Sequence, residues 1–194
     1  MSLFSRVGIR LNKINIKIIL SFLIVAALVY LARPQLYYFF SGLGLVVFGE
    51  IVRIWATGHL EKNKSLTTSG PYGYVKNPMY VGSFLIMMGF IAMAMNPENA
   101  HYILTLLGIE LAGFLFYYIP RKRKIEGERL REKFGATYVE FDKLVPDYIP
   151  RRLTPYRGTG SDKRWMGRVF NENNELHVGL CVVLGVLAIA LKFF

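Results

Sequence analysis

The chain has 194 residues, of which 53% are hydrophobic and 19% charged, yet 24 Lys and Arg against 13 Asp and Glu give a formal net charge of +11. This hydrophobicity excludes an intrinsically disordered chain, and a single Cys excludes a disulfide scaffold or a cysteine-based zinc site. The apolar excess also argues against a nucleic-acid-binding protein, although the charge is basic. A membrane protein whose cations gather on one side would explain both properties.

Five apolar blocks predict five transmembrane helices. In chain order their approximate ranges are 14–32, 36–55, 78–95, 101–119 and 176–192. A helix needs about 20 mostly apolar residues to cross a bilayer. The third and fourth blocks reach that length, and the others reach it if flanking cations extend to the interface. The sequence therefore predicts an all-α integral membrane protein that forms a single domain over residues 1–194.

The distribution of Lys and Arg predicts the orientation. With a cytoplasmic amino terminus and alternating spans, four cations lie before or at the start of the first span, from Arg6 to Lys17, four lie between Arg53 and Lys76, and fourteen lie between Arg121 and Arg168. Cytoplasmic loops are enriched in Lys and Arg, so 22 of the 24 cations would lie on the cytoplasmic side. Two long segments, 57–77 and 120–175, then face the cytoplasm, and loops of that length usually carry function.

The first cytoplasmic segment contains a turn that leads into the third span. Residues 69–71, Ser-Gly-Pro, mark the turn, Pro78 suits the first turn of a helix, and Asn77 can serve as the N-cap. The N–H groups behind Asn77 would be available to an anionic group. Three tyrosines surround this turn, at Tyr72, Tyr74 and Tyr80. Their rings predict either a binding site or an aromatic belt at the headgroup level.

The second cytoplasmic segment begins with a basic run, residues 121–124, which either binds lipid headgroups or belongs to a site. A helix face follows, with Gly135 at the position expected just after a helix end. A second helical stretch over 136–145 ends at Pro146. Glu126 and Glu128 are either solvated helix residues or part of a pocket shared with the tyrosine-rich turn.

Two acidic residues fall within predicted spans and are functional candidates for that reason. Glu50 has Arg53 three residues further on, which predicts an ion pair within one helix. Glu110 lies in mid-span and is either a structural hydrogen-bonding group or part of a transport path. No Gly-x-Gly-x-x-Gly follows a predicted strand, which argues against a Rossmann cofactor domain, and His and Cys lack metal-ligand spacing.

Both cytoplasmic segments together resemble a known family. Residues 69–72 read Ser-Gly-Pro-Tyr and residues 76–82 read Lys-Asn-Pro-Met-Tyr-Val-Gly; Glu126 and Glu128 then precede Phe-Gly-Ala-Thr-Tyr at 134–138 and Val-Pro at 145–146. This order is similar to that of the isoprenylcysteine carboxyl methyltransferase family and the related small membrane phospholipid methyltransferases. The chain departs from the pattern at Lys76-Asn77, where the family has Arg-His.

The resemblance implies a cofactor, S-adenosylmethionine, bound at the cytoplasmic helix ends without a Rossmann domain. The cofactor contacts that it implies are His59, Lys64, Ser65, Leu66, Thr67, Tyr72, Asn77, Pro78, Met79, Tyr80 and Glu126. The catalytic residues that it implies are Glu126 and a basic residue one turn earlier, which is Lys122 by position, with Arg121 and Arg123 as neighbouring candidates.

The leading hypothesis is a membrane methyltransferase. It would transfer a methyl group to the carboxylate of a prenylcysteine-like amphiphilic acceptor that enters from the bilayer at the cytoplasmic face. A phospholipid amine N-methyltransferase is the first alternative. An NADPH-dependent sterol-type reductase, a transporter that uses Glu50 and Glu110, and a non-catalytic membrane protein also stay open. Membrane lipids are expected partners, and nucleic acid is not.

Overall fold

The computed structural model describes residues 26, 28–61, 64–160, 162–173 and 175–194. Its α-helices are α1 (Leu36–Thr57), α2 (Pro78–Ala94), α3 (Ala100–Ala112), α4 (Ile119–Leu144), α5 (Gly167–Glu172) and α6 (Glu175–Ala190). A π-helical stretch, Gly113–Tyr118, joins α3 to α4 without a break, and 3-10 turns lie at Gly70–Gly73 and Leu191–Phe193. No strand occurs in the described ranges, so the predicted all-α fold is confirmed.

Three helices are long and apolar enough to cross a membrane: α1, the continuous helix Ala100–Leu144, and Glu175–Phe193. Helix α2 is equally apolar but has only 17 residues. The first predicted span, 14–32, lies largely outside the described residues, although residues 28–31 at its end are helical. Helices thus occupy the ranges of the last four predicted spans, and a total of five crossings stays a prediction.

Helices α1 and α2 form an antiparallel pair whose backbones approach closely at two pairs of glycines. A β-carbon on Gly89 would lie 2.6 Å from the carbonyl oxygen of Gly42, and one on Gly82 would lie 2.7 Å from that of Gly49. In each helix the two glycines are seven residues apart, about two turns, so they lie on one face. Small residues allow this approach because helices inside a bilayer associate mainly through close packing.

The short connections at one end of the pair form a closed hydrogen-bonded unit. The side-chain amide of Asn99 donates to the carbonyl oxygens of Leu31 and Ala94 at 2.8 and 2.9 Å. The side-chain oxygen of Asn96 accepts from the backbone N–H groups of Glu98 and Asn99. Exposed Arg33 pairs with Glu98 at 2.8 Å. These contacts join the connection before α1 to the connection after α2.

A buried ion pair attaches α6 to the opposite end of α1. Arg53 donates from Nε to Glu175 Oε1 at 2.7 Å and from Nη2 to Oε2 at 3.0 Å, and the Glu175 side chain is 2% exposed. The expected pair of Glu50 with Arg53 is therefore wrong. The forked guanidinium matches both carboxylate oxygens of Glu175, whereas Glu50 Oε1 is buried without a hydrogen-bond partner among the described residues.

Helix α4 folds back on itself at Gly135, where φ is +53° and ψ is −129°. Glycine reaches this backbone region without steric cost, and its position just after a helical stretch agrees with the predicted helix end. Tyr138, Phe141 and Val145 on the second leg are buried, and Leu130 and Phe134 of the first leg pack against them. The kink thereby places both legs of α4 beside the turn that precedes α2.

We expect substitution of the α1–α2 glycines to separate the helices. Gly42→Ala would bring a methyl group against Gly89 and Met93, and overpacking of this kind costs about 1–3 kcal/mol. Gly44→Ala on the same helix is the matched control because nothing lies within 4 Å of its β-carbon position. Thermal unfolding in detergent should show a lower Tm for Gly42→Ala alone. Equal Tm values for the two variants would contradict the close packing.

Candidate functional site

A cavity of about 630 Å³ lies where α1 ends, α2 begins and the two legs of α4 meet. Residues 60–61 and 65–67 form one wall, the Tyr72 turn and the first turn of α2 form a second, and α4 with Tyr148 forms a third. This volume lies within the usual range for a small-molecule site, about 300–1,000 Å³. Sequence segments that are up to about 90 residues apart therefore share one concave surface.

The turn at 69–73 is held from behind by His59. The His59 ring lies 3.0 Å from Ser69 Oγ through Nδ1, and a β-carbon on Gly70 would lie 2.5 Å from the same ring. Gly70 has a φ of +57°, which favours glycine. Burial lowers the pKa of His59 from its ordinary value of 6.5, so the neutral ring is favoured. His59 thus supports the turn and does not line the cavity.

Tyrosine side chains dominate the part of the wall near Glu126. Tyr72 is buried, and this burial, together with the nearby charge of Glu126, raises the pKa of its phenol. Burial and the neighbouring acidic groups raise the pKa of Tyr148 to about 12. Tyr80 and Glu126 complete this part of the wall. At neutral pH Tyr72 and Tyr148 are therefore uncharged, and their rings lie near the Glu126 carboxylate.

Lys76 connects the turn to the loop that follows α4. Its ammonium group pairs with Asp142 and, at 2.8 Å, with Asp147. Its backbone N–H donates to Pro146 O at 2.8 Å, and that of Asn77 donates to Asp147 O at 3.1 Å. Arg123 of α4 reaches the second oxygen of Asp147 at 2.7 Å. The charge on Lys76 is therefore neutralised by the protein itself.

Asn77 occupies the N-cap position of α2 as expected, but its side chain makes no capping hydrogen bond. Arg53 and Ser83 form a polar end of the cavity, where the Arg53 guanidinium donates to Ser83 as well as to Glu175. A β-carbon on Gly82 would lie 2.5 Å from Arg53 Cγ. The arginine thus reaches the cavity by passing across a glycine of the α1–α2 contact.

The wall formed by residues 60–61 and 65–67 is held by residues about 100 positions further along the chain. Lys163 pairs with Glu61 and donates to Ser65 Oγ at 2.9 Å, and Thr68 Oγ1 donates to Thr159 O at 2.8 Å. The hydrogen bond from Lys163 lowers the pKa of Glu61. Trp165 donates to the carbonyl oxygen of Ile54 and Asn173 to that of Thr57, both at the end of α1.

Most of the predicted site residues share this cavity. Those that line it are Ser65, Leu66, Thr67, Tyr72, Asn77, Met79, Tyr80, Arg123 and Glu126. Lys64 is exposed and lies 3.4 Å from Glu172, and Pro78 is buried in the first turn of α2. Arg121 lies over the Tyr117 ring at 5.9 Å. Lys122 belongs to α4, and its side chain lies outside the described part. The binding and catalytic roles stay predictions.

Several lining residues were missed in the sequence. Arg53 was expected to pair with Glu50, and Tyr148 lies in a loop whose sequence carries no periodic signal. Leu130, Phe134, Tyr138 and Phe141 lie in the predicted helical stretches without a predicted site role, yet they form the apolar part of the wall. The Phe-Gly-x-x-Tyr spacing was the available signal, because a turn at Gly135 returns Tyr138 towards Leu130.

The residues present suit an amphipathic organic cation. Uncharged tyrosine rings attract a cation over their faces, Glu126 supplies a carboxylate beside them, and the apolar α4 side chains exclude water. Arg53 and Arg123 add cationic groups that can meet a carboxylate. S-Adenosylmethionine carries a sulfonium, an ammonium, a carboxylate and an aromatic base, so its groups match this wall.

A family model described as phospholipid methyltransferase matches residues 37–136, just over half of the chain. The chain belongs to this family. The match includes α1, α2 and the first leg of α4, and therefore most of the cavity wall. The resemblance inferred from the two cytoplasmic segments is thereby confirmed.

Curated relatives carry two kinds of name. Protein-S-isoprenylcysteine O-methyltransferase of Xenopus laevis is 33% identical over 123 residues, which are 56% of this chain and 39% of that protein. The Homo sapiens protein of the same name is 30% identical, over 57% of this chain and 40% of its own. A cobalt-zinc-cadmium resistance protein of Cupriavidus metallidurans is 29% identical, over 58% and 49%. The chain thus spans about two fifths to one half of these relatives, and no solved structure matches it.

We expect acid to loosen the turn that His59 supports. The folded-state pKa of His59 lies below 6.5, so the unfolded chain binds the proton more readily. The contribution to stability is complete above about pH 6.5 and is lost as the pH falls from there towards the folded-state pKa. Tm in detergent should fall more between pH 7.5 and 5.5, roughly one unit on either side of the ordinary histidine pKa, for the wild type than for His59→Gln. Parallel pH profiles would contradict this role.

Proposed function

We propose that this chain is an integral membrane methyltransferase that uses S-adenosylmethionine to methylate the carboxylate of a prenylcysteine-like amphiphilic acceptor. The active site would be the cavity at the start of α2, on the cytoplasmic face. One observation carries the proposal: the two halves of the family motif meet across this cavity, where Glu126 faces Tyr72, Tyr80 and Tyr148. Relatives named isoprenylcysteine methyltransferases support the choice of acceptor.

The cofactor would be held chiefly by the tyrosine wall and the segment 65–67. When bound, S-adenosylmethionine supplies an electrophilic methyl group on a sulfonium. Tyr72 and Tyr80 present their rings to that cation, and burial keeps the Tyr72 phenol protonated. Glu126 can accept hydrogen bonds from the cofactor or hold a neighbouring basic group. Leu66, Leu130 and Phe134 exclude water from the reacting groups.

The acceptor would be oriented by cations on α4. A carboxylate acceptor is already ionised at neutral pH, so the protein needs no general base and acts through positioning. Arg123 lies at the cavity wall with its guanidinium fixed on Asp147, and Lys122 precedes Glu126 by one helical turn. Two apolar elements adjoin the cavity: Met79 and Tyr80 of α2 line it, and Phe114 of the π-helical stretch packs against the lining residue Tyr148. An acceptor with a lipid tail can therefore approach from the bilayer.

Methylation of a phospholipid amine is the second candidate, and the description of the family favours it. An amine must lose a proton when it gains a methyl group, so this reaction requires a base. Glu126 is the carboxylate in the cavity beside the tyrosines, whereas Glu128 is exposed. An amine acceptor therefore requires Glu126 to act as a base, whereas a carboxylate acceptor does not.

Binding of the cofactor should be saturable in the purified full-length protein in detergent. Tyr80→Leu removes a ring from the wall, and because a desolvated cation–π contact contributes about 2 kcal/mol, we expect affinity to fall by at least about tenfold. Tyr74→Leu is the matched control, since Tyr74 does not line this cavity. Isothermal titration with S-adenosylmethionine measures the effect. Absence of binding, or binding of NADPH instead, would overturn the proposed function.

Glu126→Gln separates the two acceptors. If the acceptor is an amine, loss of the base should lower the rate by about 10²–10⁴-fold; with a farnesylcysteine analogue, the rate should fall far less. Cofactor binding should survive in both cases. Transfer of labelled methyl groups to the farnesylcysteine analogue and to phosphatidylethanolamine gives the rates, with Glu128→Gln as the control. Methylation of phosphatidylethanolamine alone would overturn the carboxylate acceptor.

A further inference from the structure

The loop formed by residues 148–157, here the interfacial loop, has features that the methyl-transfer site does not use. Its sequence is Tyr-Ile-Pro-Arg-Arg-Leu-Thr-Pro-Tyr-Arg, and it follows the second leg of α4. Ile149 is 77% exposed and Leu153 is 97% exposed. Both stand outside any helix, so they do not belong to the lipid-facing side of a candidate span.

Contacts at its beginning place the interfacial loop level with the start of the apolar helices. Just before the loop, Asp147 O accepts the backbone N–H of Asn77, the N-cap of α2. The Tyr148 ring lies 5.7 Å from the ring of Phe114, which belongs to the π-helical stretch of the long apolar helix. Ile149, the next residue, therefore lies near the depth at which these helices would enter the bilayer.

The loop also carries uncompensated positive charge. Arg151, Arg152 and Arg157 are exposed, and within the described part of the chain no carboxylate forms a salt bridge with any of them. A loop with cations next to exposed apolar side chains can bind a surface whose outer layer is anionic and whose interior is apolar. The headgroup region of an anionic leaflet has that order, and each Lys or Arg near it contributes about 1 kcal/mol.

A second cavity lies behind the loop, with a volume of about 230 Å³. Arg152 and Arg157 line it together with Tyr74 and Thr154. The carboxylate in its wall, Glu140, is hydrogen-bonded to Tyr156. The Tyr74 ring lies 6.2 Å from that of Trp55 near the end of α1, and Tyr and Trp are enriched at membrane interfaces. A headgroup phosphate placed here would meet two guanidinium groups.

We propose that the interfacial loop docks on an anionic phospholipid surface, with Ile149 and Leu153 inserted among the lipid chains and Arg151, Arg152 and Arg157 on the headgroup phosphates. This inference does not depend on methyl transfer. It gives the loop a role in the site as well, because Tyr148 lines the main cavity and Asp147, which precedes the loop, pairs with Lys76 and Arg123. Docking therefore holds one wall of that cavity against the bilayer.

The test uses the full-length protein in bilayer discs of phosphatidylcholine, with and without phosphatidylserine. Cys181 is replaced by Ala, and an environment-sensitive fluorophore is attached at Leu153→Cys or, as the control, at Glu132→Cys on the exposed side of α4. We expect nitroxide-labelled lipid to quench the probe at 153 and not the probe at 132. In the same labelled variant, quenching at 153 should increase with phosphatidylserine and decrease at high salt, because salt screens the attraction between the arginines and the anionic lipid.

The cations are tested by reversing their charge. Arg151→Glu with Arg152→Glu should lower the ratio of docked to undocked loop by at least about tenfold, given the usual contribution of each cation. Arg131→Glu with Arg164→Glu carries the same charge change at exposed positions outside the loop and should retain quenching.

Three results would overturn the proposal. The first is equal quenching of the probes at 153 and 132 in anionic discs. The second is quenching at 153 that is insensitive to phosphatidylserine, salt and charge reversal. The third is a probe at 153 that labelled lipid does not quench but that a soluble acidic peptide shields from solvent. That result would make the loop a protein-docking surface.

Discussion

The close contact between α1 and α2 is the constraint on which the rest of the structure depends. With Gly42 against Gly89 and Gly49 against Gly82, the helix backbones touch directly, and no side chain separates them. Arg53 then passes across Gly82, reaches Ser83 on α2 and meets Glu175 of α6. The same contact that pairs the helices therefore positions the polar end of the cavity and attaches the C-terminal helix.

Charge at the site end of the molecule is largely matched within the protein. Lys76 lies between Asp142 and Asp147, Arg53 binds Glu175, and Lys163 binds Glu61. These pairs join segments far apart in sequence, and each is partly shielded from water, where removal of one partner costs more than at the surface. Their first role is thus to assemble the walls. This changes the meaning of the Lys-Asn pair at 76–77: the lysine serves as a bridge to the loop after α4.

The assembled walls and the loop beside them present two surfaces, which suit different kinds of ligand. The main cavity presents uncharged tyrosines and a carboxylate, which suit an organic cation and an amphiphilic acceptor. The interfacial loop presents exposed arginines and apolar side chains, which suit an anionic leaflet. Tyr148 belongs to both, since it lines the cavity and begins the loop. A membrane enzyme that takes its acceptor from the bilayer would benefit from such a connection between its lipid contact and its site.

The sequence by itself determined the all-α class, the apolar helices and the family, because apolar blocks, helix-start residues and motif spacing are local properties. It also predicted the helix end at Gly135 and nine of the residues that line the cavity. Only the tertiary structure decided the partner of Arg53, the supporting position of His59 behind the turn, and the presence of Tyr148 in the wall. The physical reason is the same in each case: ion pairing and burial depend on segments that packing brings together from distant parts of the chain, and local spacing carries no record of which of them will meet.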